Sequence, residues 1–279
     1  MTASTYDTRA CALGEGPLWH PERGQLFWFD IIGHRLLTVE NGEQMEWQFD
    51  EFVSAAGWID HGTLLIASET ALSKFDIDTG ETEFVCALEA DNDATRSNDG
   101  RADPQGGFWI GTMGKNAEPK AGAIYRYFDG ALTKLFGDIS ISNAICFAPD
   151  GRTAYFADTA TQTIMRVALD ADGWPEGDPH PFIKDAENPD GAVVDAQGNL
   201  WNAKWEGWGV TQYSPDGTKL RHLSVDASQT TCPAFGGPDG TTLFVTSAAD
   251  GLDKDAAAHG QTFAIETDVK GQQEHRVIL

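Results

Sequence analysis

Apolar residues along this chain come in short bursts, each following a glycine-bearing turn. The bursts are Leu26-Phe27-Trp28-Phe29 after Gly24, Leu64-Leu65-Ile66 after Gly62, Phe108-Trp109-Ile110 after Gly106, Ala154-Tyr155-Phe156 after Gly151, Leu200-Trp201 after Gly198 and Leu243-Phe244-Val245 after Gly240. Successive turn glycines lie 38, 44, 45, 47 and 42 residues apart. A brief apolar run bounded by turn residues reads as a strand, and no segment shows the apolar spacing of about 3.6 residues that a helical repeat would carry. A second hairpin signal sits in the same units: Leu72-Ser73-Lys74-Phe75 turns through Asp78-Thr79-Gly80, and Thr211-Gln212-Tyr213 through Pro215-Asp216-Gly217. Two hairpins per unit make four strands, and a repeat of about 40 residues with four strands is the size of a propeller blade. The pattern therefore predicts an all-β, six-bladed β-propeller with four antiparallel strands per blade. No Pro/Ser-rich linker separates the units, so residues 1–279 are expected to form a single domain. A ring leaves an open edge unless the termini close it. The segment from Tyr6 to Leu13 is expected to pair with a C-terminal strand around His275 to Leu279.

Counting back eight residues from a turn glycine reaches the start of the preceding strand, which in a propeller is the innermost one, beside the central channel. The count gives Ser54, Asn98, Asn143, Asp190 and Cys232. In the first unit, where the turn is one residue longer, counting back nine gives Glu15. Pseudo-symmetry sets these positions around one channel mouth, so Glu15, Asn98, Asn143 and Asp190 should converge. Two carboxylates facing each other in a narrow channel repel unless a positive charge lies between them. A divalent cation supplies it and takes oxygen ligands from amide carbonyls and water. The prediction is a metal site at the central channel holding one divalent ion, with Ca, Mg, Mn, Zn and Fe(II) all open. Asn, Asp and Gly are also favoured in turns whatever the function. Here, however, Asn98-Asp99-Gly100 and Pro189-Asp190-Gly191 lead directly into strands.

A hydrophobic content of 41% with 9 tryptophans supports a packed core. The formal charge of -24 removes nucleic acid and anionic membranes as expected partners, and its bland meaning is a solvated acidic surface. Cys11, Cys86, Cys146 and Cys232 are far apart without C-x-x-C spacing, and are expected as reduced thiols in the core. Met1 to Leu13 lacks the apolar stretch of a signal peptide, and no run approaches the roughly 18 apolar residues of a membrane span. A cytoplasmic enzyme, monomeric or weakly homo-oligomeric, is the expectation.

With these residues in view, the chain resembles the senescence-marker, gluconolactonase and luciferin-regenerating enzyme family over nearly its whole length. The resemblance is carried by Leu13-Gly14-Glu15-Gly16-Pro17-Leu18-Trp19, Arg96-Ser97-Asn98-Asp99-Gly100, Gly111-Thr112-Met113, Ile141-Ser142-Asn143, Pro189-Asp190-Gly191 and Cys232-Pro233-Ala234-Phe235-Gly236-Gly237. It implies a metal-dependent lactonase acting on a small sugar lactone. Glu15, Asn143 and Asp190 would bind the metal, Asp190 would also transfer the proton, and Arg96 and Asn98 would hold substrate oxygens. A loop position that carries a substrate-binding carboxylate in some relatives corresponds to Asn116, which bears on which sugar is taken.

Other readings are weaker. Gly14-Glu15-Gly16 lacks the third glycine of a dinucleotide fingerprint, and no G-x-S-x-G elbow is present. The 7 histidines are scattered; His20, near Glu15, is better read as a turn or surface residue. Most tryptophans should pack between blades, with Trp205 and Trp208 the two that could line the substrate mouth. Two alternatives to a lactonase stay open: an organophosphate or aryl-ester hydrolase on the same propeller, and a non-catalytic calcium-binding propeller.

Overall fold

The computed structural model describes residues 2–253 and 256–279. Among the described residues, 24 strands form six antiparallel four-stranded sheets arranged as the blades of a propeller. The only regular helix among them is the 3-10 turn Thr159–Thr161. The glycine-led bursts become the second strand of each blade: Gln25–Asp30, Thr63–Ser68, Phe108–Gly114, Thr153–Asp158, Leu200–Lys204 and Thr242–Ala248. Both faces of these strands meet other blades, so they read as continuous apolar runs rather than as alternation. Between blades one and two, for instance, Phe27, Phe29 and Leu36 pack on Val53, Trp58, Leu64 and Phe75. The outermost strands, such as Lys219–Ser224, are largely exposed.

The innermost strands are Gly14–His20, Val53–Asp60, Thr95–Ala102, Ser142–Phe147, Pro189–Val194 and Gln229–Gly236. Each has a residue too many for its neighbour near its start, and Val53–Asp60 has a second between Trp58 and Asp60. Register slips between Glu15 and Leu18, Val53 and Ala55, Ser97 and Gly100, Asn143 and Cys146, Pro189 and Ala192, and Thr230 and Pro233. A bulge breaks the in-out alternation and re-aims the side chains beside it, and all six fall near the same end of the channel. In blade one the bulge requires glycine: Gly16 has φ 53°, and a Cβ there would lie 2.2 Å from the Ser54 carbonyl oxygen. In blade four Ala144 takes the same left-handed conformation at φ 57°, a strained choice for a residue with a side chain.

The ring closes through its N-terminus, but with a different partner from the one expected. Ala3–Asp7 is the outer strand of blade six and pairs with Thr262–Glu266. The segment expected as its partner, His275 to Leu279, instead crosses the far end of the channel. Gln272 donates to the Phe147 and Val194 carbonyls, each at 2.9 Å, while the Val277 and Ile278 amides donate to Trp58 and Gly106. The tail ends in irregular backbone, and strand alternation alone could not distinguish it from an edge strand. Its Glu274 pairs with Arg101 of an innermost strand at 2.8 Å, both side chains 8% exposed. All four cysteines are unpaired; three are buried and Cys86 is half-buried.

A buried ion pair is costly to break from one side. Glu274→Ala should lower unfolding free energy by about 3–5 kcal/mol in urea denaturation, and Arg101→Met combined with Glu274→Leu should recover most of it. A loss below about 1 kcal/mol would show that the tail is not held by this pair.

Candidate functional site

The bulges bring Glu15, Arg96, Asn98, Asn143 and Asp190 from four blades to the wall of one cavity of about 200 Å³. The rest of the lining is largely apolar: Leu13, Met113, Ile141 and Trp205, with Thr159. The remaining ring positions contribute nothing to it: Ser54 donates to Ser97 at 2.8 Å, and Cys232 is buried beside Gly191.

Glu15 and Asp190 are both buried, side by side in the cavity wall. Each accepts from the next backbone amide, Gly16 to Glu15 Oε2 and Gly191 to Asp190 Oδ1, both at 3.0 Å. Burial, and then the charge of Asp99, push the Glu15 carboxyl up to about 8. Burial, followed by Glu15 and Asp99, raises Asp190 well above the usual carboxylate range. Two such groups do not both ionise without a compensating positive charge. Arg96 lies close enough to favour their charged forms, but its Nη1 is already committed to the Ser97 carbonyl and Asn98 Oδ1, each at 2.8 Å.

The amides are oriented by a relay across blades. Asp158 caps the 3-10 turn by accepting from the Ala160 amide, which places Thr159 at the cavity. Thr159 Oγ1 donates to the Pro189 carbonyl at 2.6 Å, so it must accept from Asn143 Nδ2 at 2.8 Å. That fixes Asn143 Oδ1 on the other side, where it accepts from Asn98 Nδ2 at 3.2 Å and keeps a second lone pair. Two carboxylates and one such amide oxygen form an oxygen-only donor set suited to a hard divalent cation. Among the described residues no group of three or more His, Cys, Asp or Glu could hold a metal, so a site here depends on the amide.

The other candidates lie elsewhere. Asn116 is exposed on the loop after Met113, tied to Glu118 through its amide at 2.9 Å, and is not part of the cavity wall. Trp205 lines the cavity, whereas Trp208 is 45% exposed beside His259. His20 is fully buried at the far end of its strand, bonded to the Asp60 carbonyl. Asp99 sits deeper than the ring, holding the Ile145 amide at 2.7 Å, with burial raising it to about 6. Thr159 was missed by the sequence reading. Its only local sign is a polar residue in the turn three residues past the Ala154-Tyr155-Phe156 burst, and turns carry such residues whatever their function.

The model of the SMP-30/Gluconolactonase/LRE-like region matches residues 13–249. A Rhizobium meliloti (strain 1021) protein with the provisional name sugar lactone lactonase is 42% identical, covering 98% of this chain and 96% of its own. The L-arabinolactonase of Azospirillum brasilense is 35% identical over 90% of this chain and 86% of its own. A solved structure described as a calcium-binding protein, regucalcin, from Agrobacterium tumefaciens str. C58 superposes with a TM-score of 0.95 at 43% identity, covering 99% of this chain and 97% of its own.

Because folding raises Glu15 from 4.5 to about 8, the folded state holds an extra proton in that window. The associated stability is present at low pH and lost as pH rises through the window. In chelator, the melting temperature should therefore fall between about pH 5 and about pH 8, and fall less in Glu15→Gln. The general acidity of the surface affects both proteins alike, so equal slopes would show that the pair is not strained.

Proposed function

The chain belongs to the SMP-30/gluconolactonase/LRE-like family, and from that premise we propose that it hydrolyses a sugar lactone to the aldonic acid with the help of one divalent cation. The observation that carries the reading is the pair of buried carboxylates, Glu15 and Asp190, in the wall of one ring-sized cavity. At about 200 Å³ the cavity is smaller than the about 300–1,000 Å³ typical of drug-sized ligands, which suits a single sugar ring.

Glu15, Asn143 and Asp190 would hold the cation. When bound, it polarises a carbonyl oxygen and offsets the charge that develops there. The chain's own groups do the rest. Arg96 and Asn98, locked together, orient the ring hydroxyls, while Trp205 and Ile141 cover the apolar face of the ring. Asp190 accepts the proton of the attacking water as its oxygen bonds to the lactone carbon. The ring C–O bond then breaks, and the departing ring oxygen leaves as a hydroxyl with that proton. Leu13 and Met113 shield the acids from bulk water, which strengthens every charge interaction at the site.

Asp190→Asn keeps the size and one oxygen but cannot take the proton. At saturating cation it should lose at least about 10²-fold in kcat on aldonolactones. Recovery of kcat with added cation would leave Asp190 as a ligand only. Calcium binding by the parent chain with no turnover of pentono- or hexonolactones would instead support the non-catalytic alternative.

A further inference from the structure

Asn202 stands in the second strand of blade five, fully buried. The equivalent positions in the other five blades hold Trp28, Ile66, Ile110, Phe156 and Val245, all buried. The blade architecture thus takes an apolar side chain at this place and does not need an amide. A buried amide is unfavourable unless its polar atoms are bonded, and those of Asn202 are. Its Nδ2 donates to the carbonyls of Asp190 at 2.7 Å and Gly191 at 3.1 Å, the two residues of the blade-five bulge. Its Oδ1 accepts from Lys204 Nζ at 2.7 Å, which leaves the amide no freedom to flip.

Lys204 is itself 2% exposed, and its second partner is the Ala186 carbonyl. Burial pushes its ammonium down to about 7, so folding disfavours the charge it brings. Serine, threonine or aspartate fills the matching place in the other blades: Asp30, Ser68, Thr112, Asp158 and Ser247. Among the described residues, the blade that buries an Asn-Lys pair behind its innermost strand is the one that carries Asp190.

We propose that Asn202, oriented by Lys204, is a positioning residue: it clamps both carbonyls of the Asp190–Gly191 bulge and so sets the direction in which the Asp190 carboxyl enters the cavity. The inference rests on the proposed function, in which Asp190 is cation ligand and base. Neither Asn202 nor Lys204 lines the cavity, so both act through the backbone of Asp190.

The test compares the parent with Asn202→Leu, which installs the kind of side chain the other blades use, and with Lys204→Met. The readouts are Mn²⁺ affinity by titration calorimetry, kcat and KM on an aldonolactone, and thermal melting. Losing an outer partner of a ligand should weaken Mn²⁺ binding and kcat by about 10-fold each in Asn202→Leu, with KM changed less than about threefold. Lys204→Met should show a smaller loss of the same kind, and it carries the test if Asn202→Leu does not fold. A parent that binds Mn²⁺ and turns over lactone, with Mn²⁺ affinity and kcat preserved in the variants and only the melting temperature moved, would overturn the inference alone. A parent that does neither would overturn the proposed function and the inference with it.

Discussion

Between each innermost strand and its neighbour the hydrogen-bonded ladder gains one unmatched residue, and the chemistry of the channel mouth follows from where those residues fall. A regular strand alternates its side chains between two faces, so a propeller of regular strands could not turn adjacent residues from four blades into one cavity. The bulges permit it, at the expense of left-handed backbone at Gly16 and Ala144. Asn143, Asp190 and Glu15 each sit at or beside such an irregularity.

What the bulges assemble is an energetically unfavourable group. Two acids are taken out of water side by side, with a third, Asp99, buried nearby; Glu15 and Asp99 raise the proton affinity of Asp190, and Asp99 raises that of Glu15, on top of the larger effect of burial. The surrounding structure holds them there largely by hydrogen bonds to backbone, with Arg96 the nearby cation: Gly16, Gly191 and Ile145 donate amides, and Asn202 grips the Asp190 carbonyl. At the other end the channel is crossed by the C-terminal tail, whose Glu274 pairs with Arg101.

The ring of candidate ligands was legible in the sequence because the distance from bulge to turn glycine is nearly constant, and the blade count was legible because buried second strands are continuous apolar runs. Glu15, Arg96, Asn98, Asn143 and Asp190 converge as expected. What escaped was set by tertiary contact rather than local pattern. The tail from Gly271 onward has no periodicity to reveal that it crosses the channel, and the closing partner of Ala3–Asp7 lies nearer the middle of the last blade. Asn116 could be aligned by position, but the Glu118 carboxylate that ties it into an exposed loop gives no sign at that distance in sequence. Thr159 is polar in a turn, where polar residues are ordinary, and its role depends on Asn143 and Pro189 arriving from other strands.

We propose that Glu15, Asn143 and Asp190 form one cation site, because Arg96 alone does not balance two buried carboxylates. Crystals equilibrated with Mn²⁺ and measured for anomalous scattering would test it most directly. A single strong peak is expected at the channel mouth, within about 2.0–2.6 Å of oxygens from all three residues. A peak placed elsewhere, or a fully ordered Glu15–Asp190 pair with no ion at saturating Mn²⁺, would contradict it.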